Sequence, residues 1–229
     1  MTQKKVACPI LQIFGNMNMI DLDNITENDL DKSLSYLRIE PYYKKPALFL
    51  LSILKSKGVV NVDMINEHNG DAGECDASLS RDDYDLGNSV IVNPKKINKF
   101  KSFSSNGKYI TLKELVLYHI YVESKSISNN LNFYYTPREF FLIKMINIAN
   151  LYYMFSASKG IPLEYIDDIF INEKFPVQWE KNKESKSLMN YLFVYNKIFT
   201  TYIKESIKSG HLIKMIKYIK LRQPRVVHK

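Results

Sequence analysis

Cysteine is nearly absent from this chain: Cys8 and Cys75 are the two among 229 residues. That excludes a disulfide framework, and no Cys/His pairs stand at zinc-site spacing. Each thiol is therefore read as a ligand, a reactive group or filler. Glycine and proline are sparse, at 8 each, and no glycine-rich phosphate loop is among them. No apolar run reaches transmembrane length, and the opening residues lack the apolar stretch of a signal peptide, so the expectation is a cytoplasmic protein. Apolar residues are plentiful instead, at 45% with 16 Tyr and 12 Phe. That is enough to build the packed core of one ample domain.

Acidic residues are scarce only toward the end. Residues 181–229 hold 12 Lys and Arg against Glu184 and Glu205, a net +10, whereas the total is +8 and the preceding residues sum to −2. A near-neutral body with a basic tail suggests an anionic partner, RNA or a membrane surface; a solvated lysine face is the plainer alternative. The expected division is residues 1–180 as one domain and 181–229 as a basic helical extension.

The stretch Gly73 to Asp83 gathers carboxylates, a thiol and hydroxyls ahead of Arg81. Glu74 and Ser78 stand four apart and suit one hard cation, although an ordinary loop and helix cap has the same composition. Cys8 precedes Pro9, which fits a first helical turn and would put the thiol where a helix dipole favours thiolate; a small buried residue is the other reading. After Lys44 a helix apolar all round, with Pro46 near its start and Gly58 past its end, reads as the core helix. Val92 to Gly107, with Lys95, Lys96, Lys99 and Lys101, reads as a loop. Thr111–Glu114 is a capping box, and Thr136–Glu139 is a second that opens a helix to Phe155, which gives Glu139 a structural task. From Ser185 the pattern is helical, with Leu188, Leu192, Tyr195, Phe199, Tyr202 and Ile207 near one stripe. Gly210 interrupts it before a last basic helix, His211 to Leu221. His68, His119, His211 and His228 show no ligand spacing and read as surface or capping residues.

In this order the pieces resemble the heme-thiolate peroxidase family that includes chloroperoxidase and the unspecific peroxygenases. The family's Pro-Cys-Pro is met by Ala7-Cys8-Pro9, with Asn16 beyond it. Its Glu-His-Asp or Glu-Gly-Asp, followed by Ser and Arg-x-Asp, is met by Glu74-Cys75-Asp76, Ser78 and Arg81-Asp82-Asp83. Leu115 to Asn130, especially Glu123 to Asn130, is similar to its helix rich in Arg, Glu and Ser, and Phe170-Ile171-Asn172-Glu173-Lys174-Phe175-Pro176 to its late Phe-x-x-Asn-Glu-x-Phe-Pro. The departures are Cys75 for His or Gly and Ala7 for Pro.

The resemblance covers about residues 6–179. It implies an all-α, chloroperoxidase-like helical bundle around a heme pocket, with the basic C-terminal extension added. It further implies heme b ligated by Cys8, with Asn16 and Arg81 at the cofactor, and Mg2+ or a similar cation held by Glu74, Ser78 and the Cys75 carbonyl. Glu139 would be the proton carrier, with Cys75 and Asp76 at the catalytic centre. The reactants would be hydrogen peroxide and a halide or small organic substrate. The alternative is a repurposed fold that binds RNA or the ribosome through Lys204, Lys208, Lys214, Lys217, Lys220, Arg222 and Arg225; Tyr191, Tyr195, Tyr202 and Tyr218 are available for stacking, but their helical spacing favours packing against the body. A membrane-surface role for the same helices ranks after it.

Overall fold

The computed structural model describes residues 4–56, 58–67, 76–133 and 144–221, without the side chains at 46, 50 and 217–221. The described helices, in chain order, are α1 (Pro9–Asn16), α2 (Glu27–Tyr36), α3 (Pro41–Lys55), α4 (Val62–Asn66), α5 (Pro94–Lys101), α6 (Leu112–Asn129), α7 (Met145–Phe155), α8 (Leu163–Phe170), α9 (Val177–Asn182), α10 (Leu188–Lys208) and α11 (His211–Leu221). About 60% of the chain is helical, against two strands of two residues each, so the fold is mostly α as expected. No described helix is long and apolar enough to cross a membrane.

Proline and short polar residues set most helix starts. Pro9, Pro41 and Pro94 occupy first helical positions, where a missing amide costs nothing. Thr111 accepts from the Glu114 amide while the Glu114 carboxylate reaches back to the Thr111 amide, so the first capping box is present. The second, Thr136–Glu139, lies outside the described residues. The supposed loop after Val92 is in fact α5: Asn93 caps it by accepting from the Lys95 amide at 2.9 Å, and Ile97 and Phe100 bury its one apolar face.

The core is built on α6 and α7, with α10 packed against both and α11 folded back on α10. This corrects the reading of the helix after Lys44. That helix begins at Pro41, and Tyr42, Phe49 and Ile53 on it are exposed, so it flanks the core. Helix α10 keeps part of the expected stripe: Tyr202 is buried, and Leu188, Tyr195 and Phe199 pack against the core. Its buried residues are Tyr191, Ile198, Tyr202 and Ser206, while Leu192 and Ile207 face outward. Two proposed stacking residues, Tyr191 and Tyr202, are thereby turned inward.

Strands β1 (Tyr109–Ile110) and β2 (Ile161–Pro162) pair antiparallel. At the entry to β2, Gly160 has φ +135°, and a Cβ there would lie 2.4 Å from the Ile110 carbonyl oxygen. Gly160→Ala is therefore expected to destabilise the fold. Backbone strain contributes about 1–3 kcal/mol before the clash is counted, and melting should fall by roughly 2–4 °C for each kcal/mol. Thermal unfolding of the variant checks this, and an unchanged melting temperature would refute it.

His119 and His211 are not the surface or capping residues expected: both are buried around Glu123, which is wholly inaccessible. His119 Nε2 lies 3.1 Å from Glu123 Oε1, and His211 Nε2 lies 3.0 Å from Oε2. The Tyr202 hydroxyl donates to the same Oε2 at 2.7 Å, and Ser124 Oγ lies 2.9 Å from His211 Nδ1. Burial alone would raise the Glu123 pKa, but the facing histidines overcome it and pull the carboxyl down to about 2. Glu123 thus joins α6 to both helices of the C-terminal hairpin.

Candidate functional site

Cys8 is the N-cap of α1, in extended backbone, and its side chain makes no capping bond. The thiol is free and half-buried against the core. The Gln12 amide donates to the Cys8 carbonyl at 3.0 Å, closing the first helical bond. Pro9 brings no amide, so the N–H groups of Ile10 and Leu11 stand without intrahelical acceptors. They and the helix dipole stabilise negative charge at the helix start, which suits a thiolate.

The turn ahead of Cys8 is tied down on both sides. The Val6 amide donates to Gln12 Oε1 at 2.9 Å, and the Ala7 amide to Asn66 Oδ1 at 2.7 Å. Asn66 Nδ2 returns a bond to the Lys5 carbonyl at 2.8 Å. Asn66 ends α4, which leads toward Glu74 and Cys75; those two residues lie outside the described set. The chain re-enters it at Asp76, which is buried and fully engaged. Its Oδ2 accepts from Asn130 Nδ2 at 3.0 Å and its Oδ1 from the Tyr84 amide at 3.2 Å. Asn130 caps the C-terminus of α6, just before the segment that carries Glu139, also outside the described residues. Asp76 therefore joins the second motif to the C-terminal end of α6.

Beyond Asp76 the motif becomes a braced turn. The Asp83 carboxylate accepts from the Ala77 amide at 2.9 Å, where Ala77 adopts a left-handed φ of 58°. Arg81 is buried; its Nε donates to the Val90 carbonyl at 2.7 Å and its Nη1 to Ser80 Oγ at 3.3 Å. The Tyr118 hydroxyl of α6 lies 2.8 Å from the Leu79 carbonyl and 2.9 Å from that of Lys96, and donates to one at a time. Lys96 of α5 donates to the Ser78 carbonyl at 3.3 Å and to the Arg81 carbonyl. Burial pushes its pKa down, opposed by Asp83 and Asp82.

The first and last motifs are clasped in the same way. Asn16 Nδ2 donates to the Glu173 carbonyl at 3.0 Å while its Oδ1 accepts from Gln12 Nε2 at 2.9 Å. Phe14 meets Phe175 edge-on at 5.4 Å, and Phe175 stacks on Trp179 at 5.0 Å. Asn16 and Arg81, expected at the cofactor, thus have their bonds with protein partners. Lys96, read as part of a loop, was missed as a neighbour of these motifs. Asn93-Pro94 as a cap signal would have put Lys96 on a helix.

For the expected cation the described donors fit poorly. Ser78 Oγ accepts from the amides of Ser80 and Arg81 at 3.4 and 3.3 Å, and the Lys96 ammonium already sits at the Ser78 carbonyl. Among the described residues no His, Cys, Asp and Glu group could hold a metal ion. An open cleft of about 920 Å³ lies between Tyr109, Phe155, Tyr165 and Trp179. None of the motif residues lines it, so the cleft is apart from this site. Lys204, Lys208 and Lys214 lie exposed on α10 and α11, whereas Lys217 and Lys220 have side chains outside the described set, as do Arg222 and Arg225 altogether.

Residues 6–184 match the family described as Peroxidase, family 2. No curated protein gives a significant match to the chain. The matched span covers more than three quarters of the sequence and takes in Cys8, the braced turn around Asp76 and the Glu173 clasp. On that extent of agreement, the chain belongs to peroxidase family 2.

Proposed function

We propose that this chain is a heme-thiolate peroxidase or peroxygenase that uses hydrogen peroxide to oxidise a halide or a small organic substrate, and that it works in the cytoplasm. The observation that carries the reading is Cys8: a free, half-buried thiol at the start of a helix, with no capping bond to give up, within the family-matched span. That donor suits heme iron, and Cys8 would be the residue that holds it. A heme held this way supplies peroxide activation, and a thiolate ligand favours O–O cleavage.

The chain's own residues then have distinct tasks. The start of α1 places the Cys8 sulfur beside the unpaired Ile10 and Leu11 amides of the first turn. Glu139 takes the proton from the near oxygen of the peroxide and delivers it to the far one, as a general acid-base group must. Asp76, through Asn130, fixes the approach to the Glu139 segment, and Cys75 stands where the family carries His or Gly. No step is assigned to a divalent cation.

The test is the spectrum of the full chain purified from heme-supplied cells. A Soret band, with a thiolate-type red shift of the reduced carbon monoxide adduct, is expected; its absence would end the reading. Glu139→Gln should keep that spectrum and lose peroxide turnover by about 10²–10⁴-fold. Unchanged turnover would return Glu139 to its capping-box task.

A further inference from the structure

The family match stops at residue 184, ahead of α10 and α11. This hairpin turns at Gly210, whose φ is +69°. Its inner face is closed by Tyr191, Ile198, Tyr202, His211 and Met215, all buried. The outer face is built differently. Ile207, Ile213 and Ile216 are 62%, 74% and 44% exposed on either side of the turn, and Lys204, Lys208 and Lys214 are exposed among them. Further along α10, Phe193 is 70% exposed, one helical turn from the exposed Lys197. The one acid in the two helices, Glu205, is turned in, its side chain 11% exposed and facing Lys113 and Lys208. Among the described residues, then, the outer face carries lysine and large apolar side chains and almost no negative charge.

We infer that this outer face docks on an anionic lipid bilayer. Lysine charge alone would suit any polyanion. RNA, however, takes stacking aromatics beside its basic residues, and here Tyr191 and Tyr202 are inside. The exposed large apolar side chains are aliphatic or thioether, with one phenylalanine, and so offer little for a base to stack on. A surface helix with aliphatic residues set among lysines suits the headgroup and acyl boundary: the apolar groups enter it while the ammonium groups meet lipid phosphates and carboxylates. The surface is separate from the peroxide chemistry, so either reading can fail without the other.

The experiment is co-sedimentation of the full chain with phosphatidylcholine vesicles and with vesicles that also contain phosphatidylserine. Binding is expected only to the second. Lys204→Gln/Lys208→Gln/Lys214→Gln should weaken it by roughly a hundredfold, and Ile207→Ser/Ile213→Ser/Ile216→Ser should weaken it with every charge kept. These isoleucines are exposed, so circular dichroism should show the fold unchanged. Ile213→Trp gives a second readout: the fluorescence of the added indole should shift to the blue on anionic vesicles. Failure to bind anionic vesicles, an isoleucine triple variant that binds as well as the parent, or an Ile213→Trp emission that does not move would each overturn the proposal. So would single-stranded RNA binding tighter than vesicle binding and unaffected by the isoleucine changes.

Discussion

Cys8→Ala protein from heme-supplied cells is expected to lose the Soret band altogether, while its far-ultraviolet circular dichroism and melting temperature stay close to those of the parent. The two halves follow from different features of one residue. The thiol makes no capping bond and is only half-buried, so alanine removes little packing. The Gln12 bond that closes the first turn uses the Cys8 carbonyl, which alanine keeps. What alanine lacks is a donor for iron. Cys8→His makes the result specific: imidazole can ligate iron, so heme should be retained while the thiolate-type shift of the reduced carbon monoxide adduct disappears. A Cys8→Ala protein with full heme and an unchanged shift would move the ligand elsewhere, Cys75 being the other thiol in the chain.

The second large effect is expected at Glu123. Glu123→Ala removes the carboxylate that two histidines and the Tyr202 hydroxyl face. Leaving a buried donor without its acceptor costs about 1–3 kcal/mol for each group, and melting should fall by roughly 2–4 °C per kcal/mol in a chain of this size. Early protease cleavage should fall in α10 and α11, because His211 and Tyr202 lose their shared acceptor. A loss below about 1 kcal/mol, within the range of ordinary surface changes, would refute the assignment.

Acid provides a further arm of the same test. The folded-state pKa of Glu123 is about 2, below the ordinary 4.5. Its contribution is therefore fully present above pH 4.5 and is lost as pH falls toward 2. Glu123→Gln, which cannot ionise, should flatten that part of the stability profile.

Local chemistry made some of this molecule readable in advance. Pro9 after Cys8, the Thr111–Glu114 box and the Gly210 break are short-range signals, and each lies where expected. The errors arose where the deciding partner is far away in sequence. Along α10 the expected stripe took in Leu192 and Ile207, but Tyr191 and Ser206 pack inward in their place beside the expected Tyr202, because α6 and α7 offer them neighbours and, for Tyr202, the Glu123 acceptor. His119 and His211 are 92 residues apart, so no spacing rule joins them. The helix after Lys44 failed for another reason. Hydrophobicity all round marks a helix that can be buried, and α3 remains at the edge with Tyr42 and Phe49 in solvent. In the site, the hydrogen-bond partners of Asp76, Asn16 and Arg81 are Asn130, Glu173 and Val90, all distant in sequence or unmarked by the motifs' spacing.

The Glu173 clasp also sets an order of assembly. Asn16 reaches its partner across 157 residues and Lys5 across 168. On a ribosome adding about 5–20 residues per second, the turn around Cys8 has emerged on the order of ten seconds before Glu173 exists to close it. Until then the thiol is held only by its nearer neighbours. Completion of the Cys8 turn thus waits for the end of the matched domain, and any group that Cys8 is to hold has that interval in which to arrive.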